Sequence, residues 1–442
     1  MHLARAATAA VGLVTAALLG SLLPAATSFA AADDPGRPDP VRFSTFNLSL
    51  NRGVEGMLES DLSQPYAAAP TPARLHAATV AEIIQRVRPD VLLVNEFDYD
   101  ADHDSARLFQ DNYLSVPQNG STPISYPYRF TAPSNTGVAS GFDLDNSGVT
   151  DTTPGDGSYG NDSFGFGLFP GQYGMAVYSR FPIELDDVRT FQTFRWKDMP
   201  GALLPDDPAT AAPADWYSPA ELDVFRLSSK SHWDLPIRVG DSTVHFLVSH
   251  PTPPVFDTSE DRNGRRNHDE IRFWADYVRP GRSGYIYDDA GGHGGLTPGA
   301  FFVVAGDQNS DPLDGDSVAG AAQQLLDNPR VNAKTTPDSA GAVEASVLQD
   351  RINDTHESDP AFDTADFSDT APGNLRADYV LPSKALQVAD SGVFWPMRSD
   401  PLSRLTGEFS LALLNTFPGD DNGFPSSDHR LVWVDLRVPA NR

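Results

Sequence analysis

The sequence predicts one elaborated domain of the layered α/β or α+β class. Apolar, strand-like runs alternate with helical segments along the chain, which is typical of that class. No internal repeat is evident, and no linker separates two complete sets of strands. The chain has 442 residues, of which 40% are hydrophobic, and this is ample for a sizeable core. We therefore expect a single domain over residues 41–442.

The elements follow in chain order. VRFSTF predicts the first strand, and residues 73–87 predict a helix, because their apolar side chains recur at near-helical spacing and the pattern stops before Pro89. The apolar run DVLLV predicts a second, buried strand. Later strands are predicted at GMAVYS, STVHFLVS, FFVVAG, ADYVLP and RLVWVDLRV, and later helices near GRRNHDEIRFWADYV and VAGAAQQLLD.

Three stretches lack this periodicity. Residues 133–174 are rich in Gly, Asp, Ser and Asn and predict a long insertion loop. Residues 200–219 and 335–372 predict further loop-rich insertions. We expect all three to be additions to the predicted layers of strands and helices.

The first thirty residues predict a secretory signal peptide (1–30). Arg5 is their only charged side chain, an apolar stretch runs to Pro24, and small residues stand at Ser28 and Ala30. Cleavage after Ala30 or Ala32 would release a secreted protein, with residues 31–40 as a flexible spacer. The alternative is an uncleaved membrane anchor, although the apolar run is short and diluted by Gly and Thr compared with the ~20 residues that a span needs. The sequence predicts no other membrane insertion.

Charge and cysteine content exclude several classes of function. The formal net charge is -28, which argues against binding of a long polyanion, because nucleic-acid-binding proteins usually present a basic face. A small phosphorylated ligand in a local basic pocket is compatible with this charge. The chain has no cysteine, so disulfides, cysteine nucleophiles and thiolate zinc sites are excluded.

Polar side chains stand at the ends of several predicted strands. Asn47 follows VRFSTF, Glu96 follows DVLLVN, and Asp428 lies just before the last strand. Rigid strands can hold metal ligands while the loops beyond them admit substrate. Glu96 is a natural ligand for a hard divalent cation that prefers oxygen, and Asn47 offers a neutral amide. The alternatives are a solvated glutamate and a turn-forming asparagine.

Acid and base candidates occupy similar positions. In GDQN, Asp307 could accept a proton from water while Asn309 holds a phosphoryl oxygen, and the alternative is an Asx-turn. His250 ends a strand and precedes PTPP, whose prolines would fix its position; a buried core histidine is the alternative. Asp378 could hold the imidazole of His429 in one tautomer, or be an ordinary charge at a strand edge.

Together these strings resemble the endonuclease/exonuclease/phosphatase superfamily, the deoxyribonuclease I-like fold of metal-dependent phosphoesterases. They occur in the family's order from Val41 to about Val438: TFN, the NE of LLVNEF, GMAVYSRFPI, the H of VSHPTPP, GDQN, ADYVLP and SDH. The resemblance implies a four-layer α/β/β/α sandwich of the α/β (α+β) class, with long loop insertions and the site at one end.

The resemblance also implies roles for the candidate metal ligands. Glu96, helped by Asn47 and Asp428, would bind Mg²⁺ or a similar ion such as Mn²⁺ or Ca²⁺. The sequence departs from the family at Asn95, where many relatives have a glutamine, and this small change should not prevent metal binding. It is also far longer than the family's core, so substrate specificity does not carry over.

The remaining roles follow from the same resemblance. Asp307 and Asn309 would position or activate the attacking water and the phosphate. His250 and His429 would share acid–base and transition-state-stabilising duties, with Asp378 orienting His429.

Two secondary features leave alternatives open. In GFDLDNSG, the oxygens of Asp143, Asp145 and Ser147 match the first half of a calcium-binding loop, but Pro154 stands where the loop's last ligand would be glutamate. A structural Ca²⁺ and an ordinary polar loop are therefore both open. Four basic residues near His250 predict either a phosphate-binding pocket or the N-terminal face of a helix, balanced by Asp269 and Glu270. They are Lys230, Arg262, Arg265 and Arg266.

The function predicted is a secreted, divalent-metal-dependent phosphoester hydrolase for small or medium phosphorylated substrates. Organic phosphates, inositol phosphates and lipid head groups all belong to this class. An extracellular nuclease is the alternative within the enzymes, ranked second because of the acidic charge. A binding module that kept the fold without catalysis is the alternative outside them. We expect a monomer by default.

Overall fold

The computed structural model describes residues 39–407 and 424–440. Within them, two β-sheets pack face to face and helices cover both outer faces, so the four-layer α/β/β/α sandwich is confirmed. The predicted signal peptide and nearly all of the predicted spacer lie outside the described residues. No helix within the described residues is both long and apolar enough to cross a membrane.

The strands and helices are numbered in chain order. The strands are β1 (Val41–Asn47), β2 (Val91–Asn95), β3 (Tyr128–Phe130), β4 (Met175–Ser179), β5 (Arg189–Thr190), β6 (His232–Val239), β7 (Ser242–Ser249), β8 (Phe301–Asp307), β9 (Ala365–Asp366), β10 (Asn374–Leu375), β11 (Asp378–Pro382), β12 (Gln387–Val393) and β13 (Val432–Arg437). The α-helices are α1 (Met57–Leu62), α2 (Pro72–Val87), α3 (Asp104–Phe109), α4 (Gly157–Asn161), α5 (Pro219–Leu222), α6 (Arg262–Tyr277), α7 (Gln323–Leu326) and α8 (Ala340–Gln349).

The two sheets have related topologies. The first has the spatial order β12-β13-β1-β2-β4-β3, and the second has the order β11-β8-β7-β6-β5. Each contains one parallel pair, β1 with β2 and β7 with β8, joined by the crossover helices α2 and α6. The remaining pairs in both sheets are antiparallel.

Alternation of side chains along the strands builds three cores. On β1, Phe43 faces the second sheet and Phe46 faces the helices, because successive side chains point to opposite faces. On β8, Val303 faces the first sheet and Val304 faces α6. Both central strands therefore supply apolar side chains to the cores on both of their faces.

Every strand that the sequence predicts is confirmed, and so are helices α2 and α6. Helix α2 begins after Thr71, whose side chain accepts a hydrogen bond from the backbone N–H of Arg74, and it ends where Arg88 takes a left-handed conformation before Pro89. Strands β6 and β12 were not predicted, since Pro236 interrupts the first and the second is a largely exposed, polar edge.

The prediction of a loop-rich stretch at 335–372 is wrong in part, because helix α8 lies there. Its sequence, AGAVEASVLQ, lacks the period of an amphipathic helix, and Val347 remains 72% exposed. The local signal is its cap: the Ser339 side chain accepts a hydrogen bond from the backbone N–H of Ala342. The third predicted helix is present only as the single turn of α7.

The insertion at 133–174 is packed against the second sheet through Asn135. The Asn135 side-chain amide donates to the carbonyl oxygens of Gln192 and Ser228, each at 2.7 Å, and its carbonyl accepts from Arg226 at 2.7 Å. Its backbone N–H donates to the carbonyl oxygen of Lys230 at 2.8 Å. Asn135 is fully buried, so these bonds fix one end of the insertion beside Lys230.

Replacing Asn135 should therefore destabilise the protein. We expect Asn135→Ala to lower the free energy of unfolding by about 2–4 kcal/mol, because the substitution leaves buried polar partners without hydrogen bonds. Urea denaturation followed by circular dichroism measures the change. Thr152→Ala is the matched control in the same insertion, since Thr152 is exposed. Equal effects of the two substitutions would contradict this role of Asn135.

Candidate active site

The predicted site residues converge at one edge of the sandwich. The carboxyl ends of the parallel strands β1 and β2 lie side by side, with Asn47 opposite Asn95. In the second sheet β11 starts where β8 ends, so Asp378 lies opposite Asp307. A hydrogen bond of 3.1 Å from Asn47 to Asp307 joins these two sheet edges.

Asn47 is the centre of the carboxylate cluster. Its amide nitrogen donates to Glu96 Oε1 at 3.0 Å and to Asp307 Oδ2 at 3.1 Å, and Asn51 donates to Glu96 Oε2 at 2.9 Å. Ser49 extends the cluster to Asp428, with 3.5 Å between its hydroxyl oxygen and the carboxylate. The structure thus brings together the three predicted metal ligands, Glu96, Asn47 and Asp428.

Backbone conformation also marks this cluster. Glu96 and Ser49 have φ angles of 54° and 49°, in the left-handed region that L-residues rarely occupy. Asn309 has a φ angle of 50° at the end of the neighbouring strand. Such conformations cost of order 1–3 kcal/mol each and persist where surrounding contacts hold them, as functional sites often do.

The donor set fits a hard divalent cation. Burial raises the pKa of Glu96, and the nearby Asp428 carboxylate raises it further, while the hydrogen bonds that the described residues supply to the Glu96 carboxylate come from neutral amides. A cation with oxygen ligands would compensate this buried negative charge. Glu96, Asn47 and Asp428 are the residues that would hold it.

His429 is held by Asp378. His429 Nδ1 lies 2.8 Å from Asp378 Oδ2, and the Thr364 hydroxyl donates to the same carboxylate oxygen at 2.9 Å. Burial opposes a charged imidazole, but the Asp378 and Asp307 carboxylates outweigh it and hold the pKa of His429 well above its ordinary value. The ring edge also packs against Phe367, with 5.2 Å between the ring centroids. The pair therefore presents Nε2 as a charged donor.

Asp307 lies between two imidazoles. Its Oδ2 is 3.4 Å from His250 Nε2 and 3.5 Å from His429 Nε2, and its Oδ1 accepts from the backbone N–H of Asn309 at 2.8 Å. Burial raises the pKa of Asp307 to about 6, against the opposing effect of His429. A carboxylate so placed can accept a proton from a water molecule.

His250 and Asn309 complete the acid–base group. Burial lowers the pKa of His250 well below its ordinary value, and Lys230 and His429 lower it further, so this imidazole is neutral. Its Nδ1 has no hydrogen-bond partner among the described residues. The Asn309 amide donates to the carbonyl oxygen of Pro251 at 3.1 Å, which ties the segment after β8 to the segment after β7.

A cavity of 480 Å³ opens beside this cluster and is lined at one end by Glu96, His250 and Lys230. Lys230 Nζ lies 3.5 Å from the carbonyl oxygen of Pro251, and burial lowers its pKa while nearby carboxylates oppose that effect. Lys230 is thus the predicted basic residue whose charge acts on the Glu96 carboxylate.

The predicted arginines differ in their placement. Arg262 and Arg266 line the cavity, but Arg262 pairs with Glu260, and Arg266 donates to the carbonyl oxygen of Leu227 at 2.8 Å. The residues that line the cavity do not include Arg265, whose Nε lies 3.9 Å from Asp261. A phosphate-binding role for these arginines stays a prediction.

The predicted calcium loop has a different third member. Ligand atoms of Asp143, Asp145 and Asp162 lie within 4.8 Å of one another. The Ser147 hydroxyl instead donates to Asp143 at 3.3 Å, and its backbone N–H donates to Asp145 at 3.1 Å. The acidic group is formed by a residue distant in sequence, which a loop pattern cannot show. A structural Ca²⁺ here stays a prediction.

Sequence reasoning missed the residues that support the site. Thr364 lies in the stretch that was predicted as an insertion, and Asn51 and Ser49 lie in the loop after β1. Glu270, on α6, accepts from the backbone N–H groups of Ser229 at 2.6 Å and Thr252 at 2.7 Å, so it fixes the segments that carry Lys230 and His250. The available signal in the sequence was the acidic pair Asp269 and Glu270, which stands directly before the apolar residues of α6.

His232 is a further support. Its Nε2 lies 2.9 Å from the backbone oxygen of Glu270, and its Nδ1 lies 2.6 Å from the Ser228 hydroxyl oxygen. Burial lowers the pKa of His232 to about 4, although the hydrogen bond to Glu270 opposes that effect. The imidazole is therefore neutral, with Nε2 as the donor.

Comparison with known proteins gives one family match. The model of the endonuclease/exonuclease/phosphatase family matches residues 44–429. A search of curated protein sequences found no match.

Solved structures of similar architecture include an endonuclease/exonuclease/phosphatase from Beutenbergia cavernae DSM 12333, with 15% identity over 91% of this chain and 72% of that chain and a TM-score of 0.46. A family protein from Leptotrichia buccalis C-1013-b has 14% identity over 90% of this chain and 100% of that chain, with a TM-score of 0.43. Sphingomyelinase C from Streptomyces griseocarneus has 12% identity over 90% and 99% of the respective chains, with a TM-score of 0.39. Similarity this distant identifies no substrate.

Neutral His232 predicts a loss of stability in acid. The folded pKa of about 4 lies below the ordinary value of 6.5, so the unfolded chain takes up this proton first as the pH falls. As the pH falls from 6.5 to 4, this group should therefore lower the free energy of unfolding by about 3 kcal/mol, at about 1.4 kcal/mol for each unit of pKa difference. His232→Gln should lose less stability than the wild type over that interval, as measured by urea denaturation at each pH.

The control for this experiment is His103→Gln, because His103 is exposed. That variant should lose as much stability in acid as the wild type. If His232→Gln and the wild type lose the same amount, the neutral state of His232 is wrong.

Proposed function

The chain belongs to the endonuclease/exonuclease/phosphatase family and is a metal-dependent hydrolase of ester bonds, and from that premise we propose that it is a secreted phosphoesterase for small or medium phosphorylated substrates. The observation that carries this proposal is the meeting of Glu96, Asp307 and the Asp378–His429 pair at one edge of the sandwich. Metal ligands, a proton acceptor and a cationic donor are what phosphoester hydrolysis needs together.

A divalent cation bound by Glu96, Asn47 and Asp428 would stabilise negative charge on a phosphoryl oxygen and lower the pKa of a bound water. We propose Mg²⁺, with Mn²⁺ or Ca²⁺ as alternatives, since the ligand set consists of oxygens. The chain's own groups divide the remaining work. Asp307 accepts a proton from the attacking water, and His429 Nε2 donates to the phosphoryl group. Asn309 and His250 orient that group from the other side.

The acidic surface supports a small substrate over a long polyanion. The formal net charge of -28 repels a nucleic acid over its whole length, whereas a single phosphate needs only a local match of charge. The buried Lys230 supplies such a match beside Glu96 and His250. An extracellular nuclease is therefore the second candidate, to be distinguished by experiment.

Secretion rests on a different part of the chain. The proposal that the protein is exported depends on the first thirty residues, with Arg5 before an apolar stretch and small residues at Ser28 and Ala30. The absence of cysteine means that an exported form would need no oxidative folding.

A substrate panel with and without metal tests the proposed function. The protein should release phosphate or alcohol from phosphomonoesters or small phosphodiesters with Mg²⁺, Mn²⁺ or Ca²⁺, and should lose that activity with a chelator. Glu96→Gln should lower kcat/KM by at least about 10²-fold, because a half-buried metal ligand loses its charge. Glu55→Gln, at an exposed glutamate, should leave kcat/KM unchanged.

Two results of the panel would change the proposal. Efficient degradation of plasmid DNA with a steep dependence on salt would favour the nuclease. If activity is unchanged by chelator and by Glu96→Gln, the metal-dependent reaction proposed at this site is wrong.

The Asp378–His429 pair gives a separate prediction. Asp378→Asn removes the charge that holds His429 in its protonated form, so kcat should fall about 10²- to 10⁴-fold while KM changes little. Steady-state kinetics on the best ester of the panel measures the change. Asp390→Asn, on the exposed edge strand β12, is the matched control and should leave kcat unchanged. Equal kcat values for both variants and the wild type would contradict the role of the pair.

A further inference from the structure

The cavity extends well beyond the residues that would act on the phosphate. Glu96, His250 and Lys230 line the part of it that adjoins the candidate active site. The insertion at 133–174 and the start of helix α6 supply much of the remaining lining. A cavity of 480 Å³ is within the range of small-ligand sites and exceeds what one phosphate group fills.

The insertion is built closely against the catalytic side of the second sheet. A Cβ atom at Gly165 would lie 1.9 Å from the carbonyl oxygen of Ser229, so only glycine lets the two backbones approach this closely. The backbone N–H of Asn135 donates to the carbonyl oxygen of Lys230 at 2.8 Å, and the Gln172 side chain donates to the carbonyl oxygen of Arg52 at 2.7 Å. The insertion wall is thus fixed relative to the residues that flank the metal ligands.

Five aromatic side chains line the cavity together with its polar groups. They are Phe166, Tyr173, Tyr217, Phe225 and Phe256. Phe256 is 86% exposed and Phe166 is 50% exposed, so two large apolar rings face solvent at the same cavity. Exposed apolar surface of this kind, next to polar catalytic groups, marks a ligand-binding surface.

The position of the cationic groups is consistent with an anionic ligand that carries an apolar body. Lys230 lies beside Glu96 and His250, and Arg262 and Arg266 line the same cavity. The Arg266 guanidinium lies 4.8 Å from the centroid of the Phe225 ring. A hydroxyl group that lies against the face of one of these rings gains no hydrogen bond from the ring. A flat ring instead gains stacking and edge-to-face contacts.

We propose that this cavity binds the alcohol part of the phosphoester and that this part carries a flat aromatic ring. The proposal rests on the proposed function of the site, which fixes where the phosphate lies. An aryl or benzyl group and a nucleobase share this chemistry. The insertion at 133–174 then determines specificity, since it supplies Phe166 and holds the wall that faces α6.

Binding of hydrolysis-resistant phosphonates tests this proposal without turnover. Isothermal titration calorimetry on the full protein with Mg²⁺ should give a Kd for benzylphosphonate at least about tenfold lower than that for methylphosphonate. A nucleoside methylenephosphonate forms the third arm. A preference for either ring-bearing ligand supports the proposal, and the tighter of the two identifies the source of the ring.

Variants at the exposed rings locate the effect. Phe166→Ala and Phe256→Ala should each raise the Kd of the preferred ring-bearing ligand about 3- to 10-fold and leave that of methylphosphonate unchanged. Both rings are exposed, so the variants should fold. Tyr128→Ala is the matched control, since Tyr128 is 38% exposed and is not among the residues that line this cavity.

The outcomes separate this proposal from the proposed function. If methylphosphonate binds as tightly as both ring-bearing ligands, or if Tyr128→Ala weakens ring binding as much as Phe166→Ala, the aromatic site is wrong even where the substrate panel shows metal-dependent hydrolysis. If ring-bearing ligands bind preferentially but no ester is hydrolysed, the cavity's preference stands and the proposed function fails.

Discussion

The hydrogen bonds of one amide, that of Asn47, link the two sheets and organise the site. Asn47 ends β1 in the first sheet, and its nitrogen donates to Glu96 in the same sheet and to Asp307 in the second. A primary amide has two N–H donors and no charge, so it can hold two carboxylates together where an aspartate would repel both. Its oxygen accepts from the backbone N–H of Ser49 at 3.1 Å, which shapes the loop that reaches Asp428. The position of one sheet relative to the other therefore sets the distance between Glu96 and Asp307.

The long insertions support the site in two different ways. The insertion at 133–174 lines the cavity, whereas the end of the stretch at 335–372 holds His429, the proposed catalytic histidine. Ala365 pairs with His429, and the backbone N–H of Asp366 donates to the carbonyl oxygen of Asp428 at 2.8 Å. Thr364 adds the hydroxyl that fixes Asp378. One insertion thus lines the cavity beside the site, and the other fixes the position of His429.

The strands and the polar residues that end them could be predicted from the sequence, because buried strands leave continuous apolar runs and the site lies at their ends. The supporting contacts could not. Thr364 meets Asp378, and Asp162 meets Asp143, only after the chain has folded, and no local period records such pairs. Asn95 shows the same limit: it stands next to Glu96, the proposed metal ligand, in sequence, yet its side-chain oxygen lies 3.4 Å from the backbone nitrogen of Asp307 in the other sheet. The basic residues near His250 did indicate a pocket, and Lys230, Arg262 and Arg266 line the cavity, but the sequence did not show that Arg262 pairs with Glu260 or that Arg266 donates to the carbonyl oxygen of Leu227.

Burial of Lys230 at the cavity explains how a strongly acidic protein could offer a local positive charge to a bound phosphate. Lys230, Arg266 and Glu270 are all buried close to one another, and Glu270 sits where backbone N–H groups as well as cations compensate its charge. Away from water, such charges interact more strongly and are screened less by salt than those at the surface. The surface charge acts on a substrate over its whole length, while Lys230 acts only within the cavity. The proposed preference for small esters rests on the separation of these two fields, because the net acidic charge disfavours a long polyanion while Lys230 acts only on a ligand inside the cavity.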